Sequence, residues 1–91
     1  MEDKIQAIAN LLQQTGQAHH QAFIDTDGAD DDWAIWYADY LFGKLDDLLD
    51  ARLTRTQIVI LMVDLDRLHK ATAPGSNWAR FYAKELVNRY F

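Results

Sequence analysis

Apolar residues recur along most of the chain at spacings of three and four, a pattern that is typical of amphipathic α-helices. Four such segments are joined by short polar links, and none shows the two-residue alternation of a strand. The predicted helices run from Asp3 to residues 25–27, from Asp31 to Leu49, from Thr54 to about Ala71, and from residue 77 onward. Because short links favour antiparallel neighbours, we expect residues 1–91 to form one domain, an all-α up-and-down four-helix bundle.

Local start and stop signals support two of these boundaries. Thr54 and Gln57 stand three residues apart, the spacing of a capping box in which each side chain bonds the backbone N–H of the other residue. Residues 72–76, TAPGS, contain a Pro–Gly pair that ends the third helix. Either Ser76 or Asn77 is expected to cap the fourth helix, because both side chains accept hydrogen bonds from a helix start.

The inward-facing positions are rich in aromatic residues. The stripes of the second and fourth helices consist mainly of tryptophan and tyrosine, and such stripes pack against one another more often than they line a ligand pocket. The predicted core contains Trp33, Tyr37, Leu61, Leu65, Trp78 and Tyr82. Gly16 lies on the stripe of the first helix, where a close approach of another helix could offset its poor helix propensity.

A second apolar stripe lies on two of the helices and consists of Ile35, Ala38, Phe42, Leu45 and Leu49 on the second helix and Val59, Ile60 and Val63 on the third. A helix that is apolar on most of its circumference has to be buried on most of it, and 91 residues have little mass to cover two such helices. We therefore predict a symmetric homodimer, the commonest assembly. Its predicted interface contains Ile35, Phe42, Leu49, Val59, Ile60 and Val63. The alternative is that the first helix or the loops cover one stripe.

Composition and charge narrow the range of partners. Hydrophobic residues make up 49% of the chain, cysteine is absent, and the net charge is −5. Residues 1–50 carry eleven acidic and two basic side chains, whereas residues 51–91 carry three acidic and seven basic ones. This asymmetry favours docking of the two halves, within or between chains, and the dispersed bases argue against a nucleic acid partner. No apolar run approaches the roughly 20 residues of a membrane span and no export signal is visible, so we expect no membrane partner and a cytoplasmic location.

The stretch DTDGADDDW, residues 25–33, has the density of carboxylates that a calcium loop needs. An EF-hand loop requires oxygen ligands at positions 1, 3, 5 and 12 and glycine at position 6. With Gly28 at position 6, the first and last ligand positions fall on Phe23 and Ala34, whose side chains have no oxygen. We therefore interpret the stretch as a helix turn in which Gly28 ends the first helix in a left-handed conformation and Asp30 caps the second.

Motifs for catalysis and for metal binding are missing. The chain has one serine, no cysteine and no Gly-rich phosphate loop. Asp66 and His69 have the spacing of a helical metal site, but a di-metal bundle needs two such pairs and further carboxylates, so we predict neither a metal nor a cofactor. His19 and His69 lie on inner stripes and are expected to bond a backbone carbonyl or a tyrosine hydroxyl. The residue types also allow an acid–base pair of His20 and Asp30.

The segment from His20 to Tyr40 combines H-x-x-[FY] with a later W-x-x-W-Y-A. The residues that carry this pattern are His20, Phe23, Trp33, Trp36, Tyr37 and Ala38. The pattern resembles that of a family of small bacterial helical proteins with no assigned activity. The resemblance covers less than a quarter of the chain and implies no reaction, but it draws attention to His20 and to the aromatic residues of the second helix.

From these features we expect a non-catalytic helical interaction or scaffold module that self-associates. The alternative is a small-molecule-binding or hydrolytic protein, in which an imidazole and an acid lie next to aromatic walls. The candidate site residues of this alternative are His20, Asp30, Trp33, Trp36 and Tyr37.

Overall fold

The computed structural model describes residues 1–91 and consists of helices joined by short links. In chain order the elements are α1 (Glu2–Ala22), a short 3-10 helix (Ile24–Thr26), α2 (Trp33–Leu41), α3 (Asp46–Leu49), α4 (Arg55–Thr72) and α5 (Trp78–Tyr90). The most extensive helix contacts are those of α1 with α5 and of α2 with α4. The predicted all-α class is confirmed, but there are five α-helices rather than four, and the regular up-and-down order stays a prediction. None of the helices combines the length and the apolar character that crossing a membrane requires.

Two helix starts follow the signals in the sequence. The Oγ1 of Thr54 accepts a hydrogen bond from the backbone N–H of Gln57 at 3.1 Å, and the Gln57 side chain accepts one from the N–H of Thr54 at 2.8 Å. These reciprocal bonds satisfy two backbone donors at the start of α4. At the start of α5, the Oδ1 of Asn77 accepts a hydrogen bond from the N–H of Arg80 at 3.0 Å. Both predicted caps are confirmed, with Asn77 rather than Ser76 in the second.

The predicted helix from Asp31 to Leu49 is divided into two. Helix α2 ends at Leu41, and Gly43 follows with a φ of +80°, a conformation that residues with a Cβ rarely adopt. The chain turns there and restarts as the four-residue helix α3. In an unbroken helix Leu45 and Leu49 would lie on the outer stripe, whereas the turn brings both into the core, where they are fully buried. The prediction that Leu49 lies in a dimer interface was therefore wrong.

The core is aliphatic rather than aromatic. Its fully buried large apolar side chains are Ile8, Leu12, Leu41, Leu45, Leu49, Ile58, Met62, Leu65 and Leu86. Of the predicted core residues, Leu65 and Tyr82 are buried. The others, which pack only partly buried against the core, are Trp33, Tyr37, Leu61 and Trp78. Helices α2 and α5 also bury the small side chains of Ala34, Ala38, Ala79 and Ala83. The rings of Trp33, Tyr37 and Trp78 pack at the rim of the core.

Gly16, in the middle of α1, marks a close approach of two aromatic side chains. A Cβ at this position would lie 3.1 Å from Cζ2 of Trp78 and 3.3 Å from the hydroxyl oxygen of Tyr37. Both distances are tighter than ordinary van der Waals contact. The glycine that helix propensity disfavours is therefore explained by the packing of α2 and α5 against α1, as the sequence predicted.

Ion pairs join the acidic first half of the chain to the basic second half. Arg55 of α4 donates to Asp39 of α2 at 3.1 Å, and Arg80 of α5 lies 2.6 Å from Glu2 of α1. These side chains are at the surface, where such pairs contribute about 0–1 kcal/mol each. Some acidic side chains of residues 1–50 are thus paired with basic side chains of residues 51–91 within one chain. Because these pairs contribute little to stability, we interpret them as contacts that align the helices.

Candidate functional site

Four aromatic side chains of α2 and α5 form a series of tilted ring contacts beside the core. The ring centroids of Trp33 and Tyr37 are 5.4 Å apart, with an interplanar angle of 90°. Tyr37 and Trp78 are 6.3 Å apart at 66°, and Trp78 and Tyr82 are 5.3 Å apart at 79°. Such contacts direct the positive edge of one ring at the negative face of the next. This aromatic cluster consists of Trp33, Tyr37, Trp78 and Tyr82. All four belong to the predicted core, and two of them, Trp33 and Tyr37, are also predicted site residues.

His19 and Asp30 form a largely buried hydrogen-bonded pair next to the aromatic cluster. The Nε2 of His19 lies 3.0 Å from the Oδ2 of Asp30. The imidazole is surrounded by the rings of Phe23, Trp36 and Tyr37, at centroid distances of 4.8, 5.1 and 5.3 Å. The prediction that His19 bonds a carbonyl or a tyrosine hydroxyl was wrong, because the acidic loop folds back and presents a carboxylate instead. The pair therefore anchors this loop to α1.

The pairing changes the roles that the sequence suggested for Asp30 and His20. Asp30 does not cap α2: its Oδ1 accepts a hydrogen bond from the N–H of Asp32 at 3.0 Å, and the helix begins after Asp32. Neighbouring residues on an α-helix point about 100° apart, so His20 is turned away from His19 and remains half-exposed. The carboxylate nearest to His20 is that of Asp27, at 3.9 Å. The structure thus does not bring His20 and Asp30 together as an acid–base pair.

The acidic loop, residues 25–32, makes a turn. Asp27 and Gly28 adopt left-handed conformations with φ of 56° and 86°, so the left-handed conformation predicted for Gly28 is confirmed. Gly28 does not end the first helix as predicted, because α1 stops at Ala22 and the left-handed Asp27 ends the 3-10 helix that follows. Gly28 lies against the ring of His20, and a Cβ there would be 2.8 Å from its Nδ1. No three histidine, aspartate or glutamate side chains converge in a geometry that could hold a metal ion, in the loop or elsewhere.

An open groove, here named the outer groove, lies along α1 at Tyr37 and Trp78. It has a volume of about 720 Å³ and is lined by Gln13, Gly16, Gln17, His20, Gln21, Tyr37 and Trp78. Its three glutamines are spaced four residues apart, so their amides form one polar stripe on the helix. Sequence reasoning selected His20 and Tyr37 but missed the glutamines, although this spacing is the signal that could have revealed them.

A smaller cavity of about 190 Å³, here named the inner cavity, lies between α2, α4 and α5. It is lined by Trp33, Tyr37, Asp66, His69, Trp78 and Tyr82, and so contains the whole aromatic cluster. Asp66 and His69 are three residues apart on α4 and share one helix face. The sequence analysis considered Asp66 and His69 only as half of a metal site. In the structure the other residues that line the cavity with this pair are aromatic, not acidic.

The polar groups of the inner cavity include two tyrosine hydroxyls, a carboxylate and an imidazole. Burial raises the pKa of Tyr37, and burial together with the negative charge of Asp66 raises the pKa of Tyr82, so both hydroxyls keep their protons at neutral pH. His69 donates a hydrogen bond from Nε2 to the carbonyl of Ser76 at 2.9 Å, as predicted for an inward histidine. Neutral phenols and a carboxylate can hold a ligand through hydrogen bonds and charge, but they supply no activated nucleophile.

The chain matches no protein-family model, no curated protein and no solved structure. The resemblance of the segment from His20 to Tyr40 to a small bacterial family therefore stays a prediction. The observations that support a function are the exposed apolar surface, the outer groove and the inner cavity.

Proposed function

We propose that the protein is a non-catalytic interaction module that self-associates through an apolar surface on α2 and α4. The observation that carries this proposal is the exposure of Ile35, Phe42 and Ile60, whose accessible fractions are 55%, 43% and 62%. A single exposed apolar residue is normal on a protein surface, whereas several on two contacting helices and the residue directly after one of them favour an interaction site.

The α2–α4 surface is defined by Ile35, Phe42, Val59, Ile60 and Val63. Val59 and Val63 are half-buried and pack at the edge of the core. Arg55 connects the two helices, because its guanidinium lies 4.0 Å from the centroid of the Phe42 ring. Five of the six predicted interface residues are thus at least partly exposed, and only Leu49 is not.

A second copy of the chain is the partner that we propose for this surface. Asp64 and Arg67 lie beside Ile60 on the outer face of α4, so the apolar centre has both an acidic and a basic neighbour. In a two-fold interface each surface meets its own copy, so Arg67 of one protomer can face Asp64 of the other, which also pairs with Arg89 of its own chain at 2.7 Å. Arg67 is exposed and forms none of the ion pairs within the chain, so it is free for this contact.

Sedimentation equilibrium at micromolar concentration tests self-association. The expected species has twice the 10.5 kDa mass of the chain. Ile60→Glu should shift the equilibrium to the monomer, because the interface would then bury an unpaired charge. Ile24→Glu is the matched control, since Ile24 is similarly exposed but lies on the 3-10 helix. A monomer for the unchanged chain, or undiminished association of the Ile60→Glu variant, would contradict the proposal.

The outer groove supports a second candidate function, the binding of a small molecule. Each glutamine amide offers both donors and an acceptor, and Tyr37 and Trp78 supply an apolar wall, which is the combination found in ligand pockets. We propose binding rather than hydrolysis, because neither serine nor cysteine lines the groove and Asp30 is already bonded to His19.

A thermal-shift screen of metabolites tests the second candidate. A ligand at 100 times its Kd should stabilise the fold by about 2.7 kcal/mol. Gln17→Ala and His20→Ala should each remove the shift, whereas Gln14→Ala should not, because Gln14 is exposed outside the groove. If no compound stabilises the protein, or if the shift survives the first two substitutions, the outer groove is not a binding site.

A further inference from the structure

The inner cavity is lined mainly by aromatic rings. Four of its six lining residues belong to the aromatic cluster, and the other two are Asp66 and His69. Successive rings of the cluster are tilted by 66–90° and do not stack into a layer. A ligand in the cavity would therefore be in contact with several electron-rich aromatic rings.

The size of the inner cavity limits what it can hold. At about 190 Å³ it is smaller than the roughly 300–1,000 Å³ of pockets that hold drug-sized ligands. It can accept a compact head group, while the rest of a longer molecule could continue into the outer groove, which shares Tyr37 and Trp78 with the cavity.

Asp66 gives the inner cavity a negative charge. The charge of this carboxylate is, after burial, the second cause of the raised pKa of Tyr82. Its ionic partner is Lys70, whose Nζ lies 3.0 Å from Oδ2. The Lys70 side chain is 73% exposed and that of Asp66 27%. Ion pairs of this type on a helix surface are weak, so the lysine ammonium can move into solvent and leave the carboxylate to another cation.

We propose that the inner cavity binds the methylated ammonium group of a small organic cation. A weakly hydrated cation gains favourable electrostatic contact with the faces of tryptophan and tyrosine rings, and Asp66 supplies the counter-charge in place of Lys70. An anion is disfavoured by Asp66, and a metal ion would find only Asp66 and His69 as ligands. This inference goes beyond self-association and concerns a cavity other than the outer groove.

An NMR titration with choline tests the inference. The matched control ligand is 3,3-dimethylbutan-1-ol, which has the same shape but carbon in place of the charged nitrogen. The indole N–H signals of Trp33 and Trp78 should shift in a saturable manner, whereas that of Trp36, which does not line the cavity, should shift least. The alcohol should bind at least about tenfold more weakly, which corresponds to about 1.4 kcal/mol. Equal affinities, or no saturable shift with choline, would overturn the inference.

Two substitutions on α4 test the role of charge. Asp66→Asn keeps the size of the side chain but removes its charge, and it should weaken choline binding by about tenfold or more. Lys70→Gln removes the competing ammonium and should strengthen binding, a gain that a purely structural role of Asp66 does not produce. Because Lys70 is exposed, Lys70→Gln should fold normally, which circular dichroism can check. Its affinity for choline therefore tests the role of charge even if Asp66→Asn is unstable. Unchanged affinity in the folded variants contradicts the inference.

His20→Ala separates the inner cavity from the outer groove. His20 lines the groove but not the cavity, so this substitution should leave the affinity for choline unchanged. If choline binding is lost in His20→Ala and retained in Asp66→Asn, the ligand lies in the outer groove and the inference is wrong.

Discussion

The two ends of α2 lie in different surroundings. Its last residue, Leu41, is followed by Leu45 and Leu49, and all three side chains are fully buried; this region is the aliphatic end. Its first five residues include Trp33 and Tyr37, which are only half-buried and belong to the aromatic cluster; this region is the aromatic end. Leucines have no polar atoms and exclude water completely, whereas indole and phenol rings carry a polar group that needs a partner.

The two ends differ in what they contribute: the aliphatic end to stability, and the aromatic end to the two candidate sites for small molecules. Interiors packed to crystal-like density leave no room for a ligand. The aromatic end is less tightly filled, and both the outer groove and the inner cavity are bounded by Tyr37. We therefore expect substitutions at the aliphatic end to act mainly on unfolding, and substitutions at the aromatic end to act mainly on ligand binding.

The largest expected effect is that of Leu45→Ala at the aliphatic end. This substitution removes three buried carbons and leaves a cavity, so it should lower the free energy of unfolding by about 2–5 kcal/mol in urea denaturation followed by circular dichroism. Leu48→Ala is the matched control, because Leu48 is a half-buried neighbour, and it should cost clearly less. If Trp33→Leu costs more than Leu45→Ala, the aromatic end contributes more to the stability of the fold and the comparison is reversed.

Asp30→Ala tests whether the aromatic end also contains a structural bond. The substitution leaves the largely buried imidazole of His19 without its hydrogen-bond partner, so we expect a loss of about 1–3 kcal/mol of unfolding free energy. Asp31→Ala is the control, because Asp31 is exposed, and it should change stability by less than about 0.5 kcal/mol. Equal losses for the two substitutions would mean that the pair of His19 and Asp30 contributes little.

The helices that begin with a local signal could be predicted from the sequence, whereas the break in the second helix could not. The Thr54–Gln57 and Asn77 caps depend on residues within one turn, so their spacing is sufficient evidence. Gly43 is different, because an isolated glycine is compatible with a continuous helix. What favours the break is the burial of Leu45 and Leu49 against other helices, and that is a tertiary effect.

The candidate site was predictable only in part for the same reason. The sequence placed His19 on an inner stripe, but its partner was one of five aspartates in a loop whose path is not encoded by periodicity. Tyr37 and Trp78 are far apart in the chain, so their meeting at Gly16 follows from the packing of three helices. Of the predicted core residues, Leu65 and Tyr82 are buried, whereas Trp33, Tyr37, Leu61 and Trp78 are only partly buried. Periodicity does not show that the alanines of α2 and α5 are buried more deeply than the tryptophans beside them.

Alkaline pH should weaken the fold through the aromatic end. Burial raises the pKa of Tyr37 and Tyr82 above the usual 10.0, and Asp66 adds to the effect on Tyr82. Above about pH 10 the unfolded chain loses these two protons while the folded chain retains them, so stability falls as pH rises. The slope is at most about 1.4 kcal/mol per pH unit for each tyrosine. Urea denaturation between about pH 9 and 11 measures the slope, which Tyr82→Phe should reduce; an unchanged slope in this variant would contradict the assignment.

The smallest expected difference is between the two helix caps. Thr54 starts α4 next to the buried Leu53 at the aliphatic end and forms two reciprocal bonds with Gln57, whereas Asn77 starts α5 beside Trp78 with one side-chain bond. Loss of a cap costs about 0.5–2 kcal/mol, so Thr54→Ala should lie near the middle of this range and Asn77→Ala near its lower limit.

Urea denaturation of both cap variants measures this difference, and Thr56→Ala serves as the control. Thr56 is an exposed threonine in the first turn of α4 and takes no part in the cap. Its replacement should be neutral or slightly stabilising, because alanine has the higher helix propensity. Equal costs for Thr54→Ala and Thr56→Ala would show that the capping box contributes nothing. A larger cost for Asn77→Ala than for Thr54→Ala would mean that the cap of α5, at the aromatic end, contributes more to the free energy of unfolding than the cap of α4 at the aliphatic end.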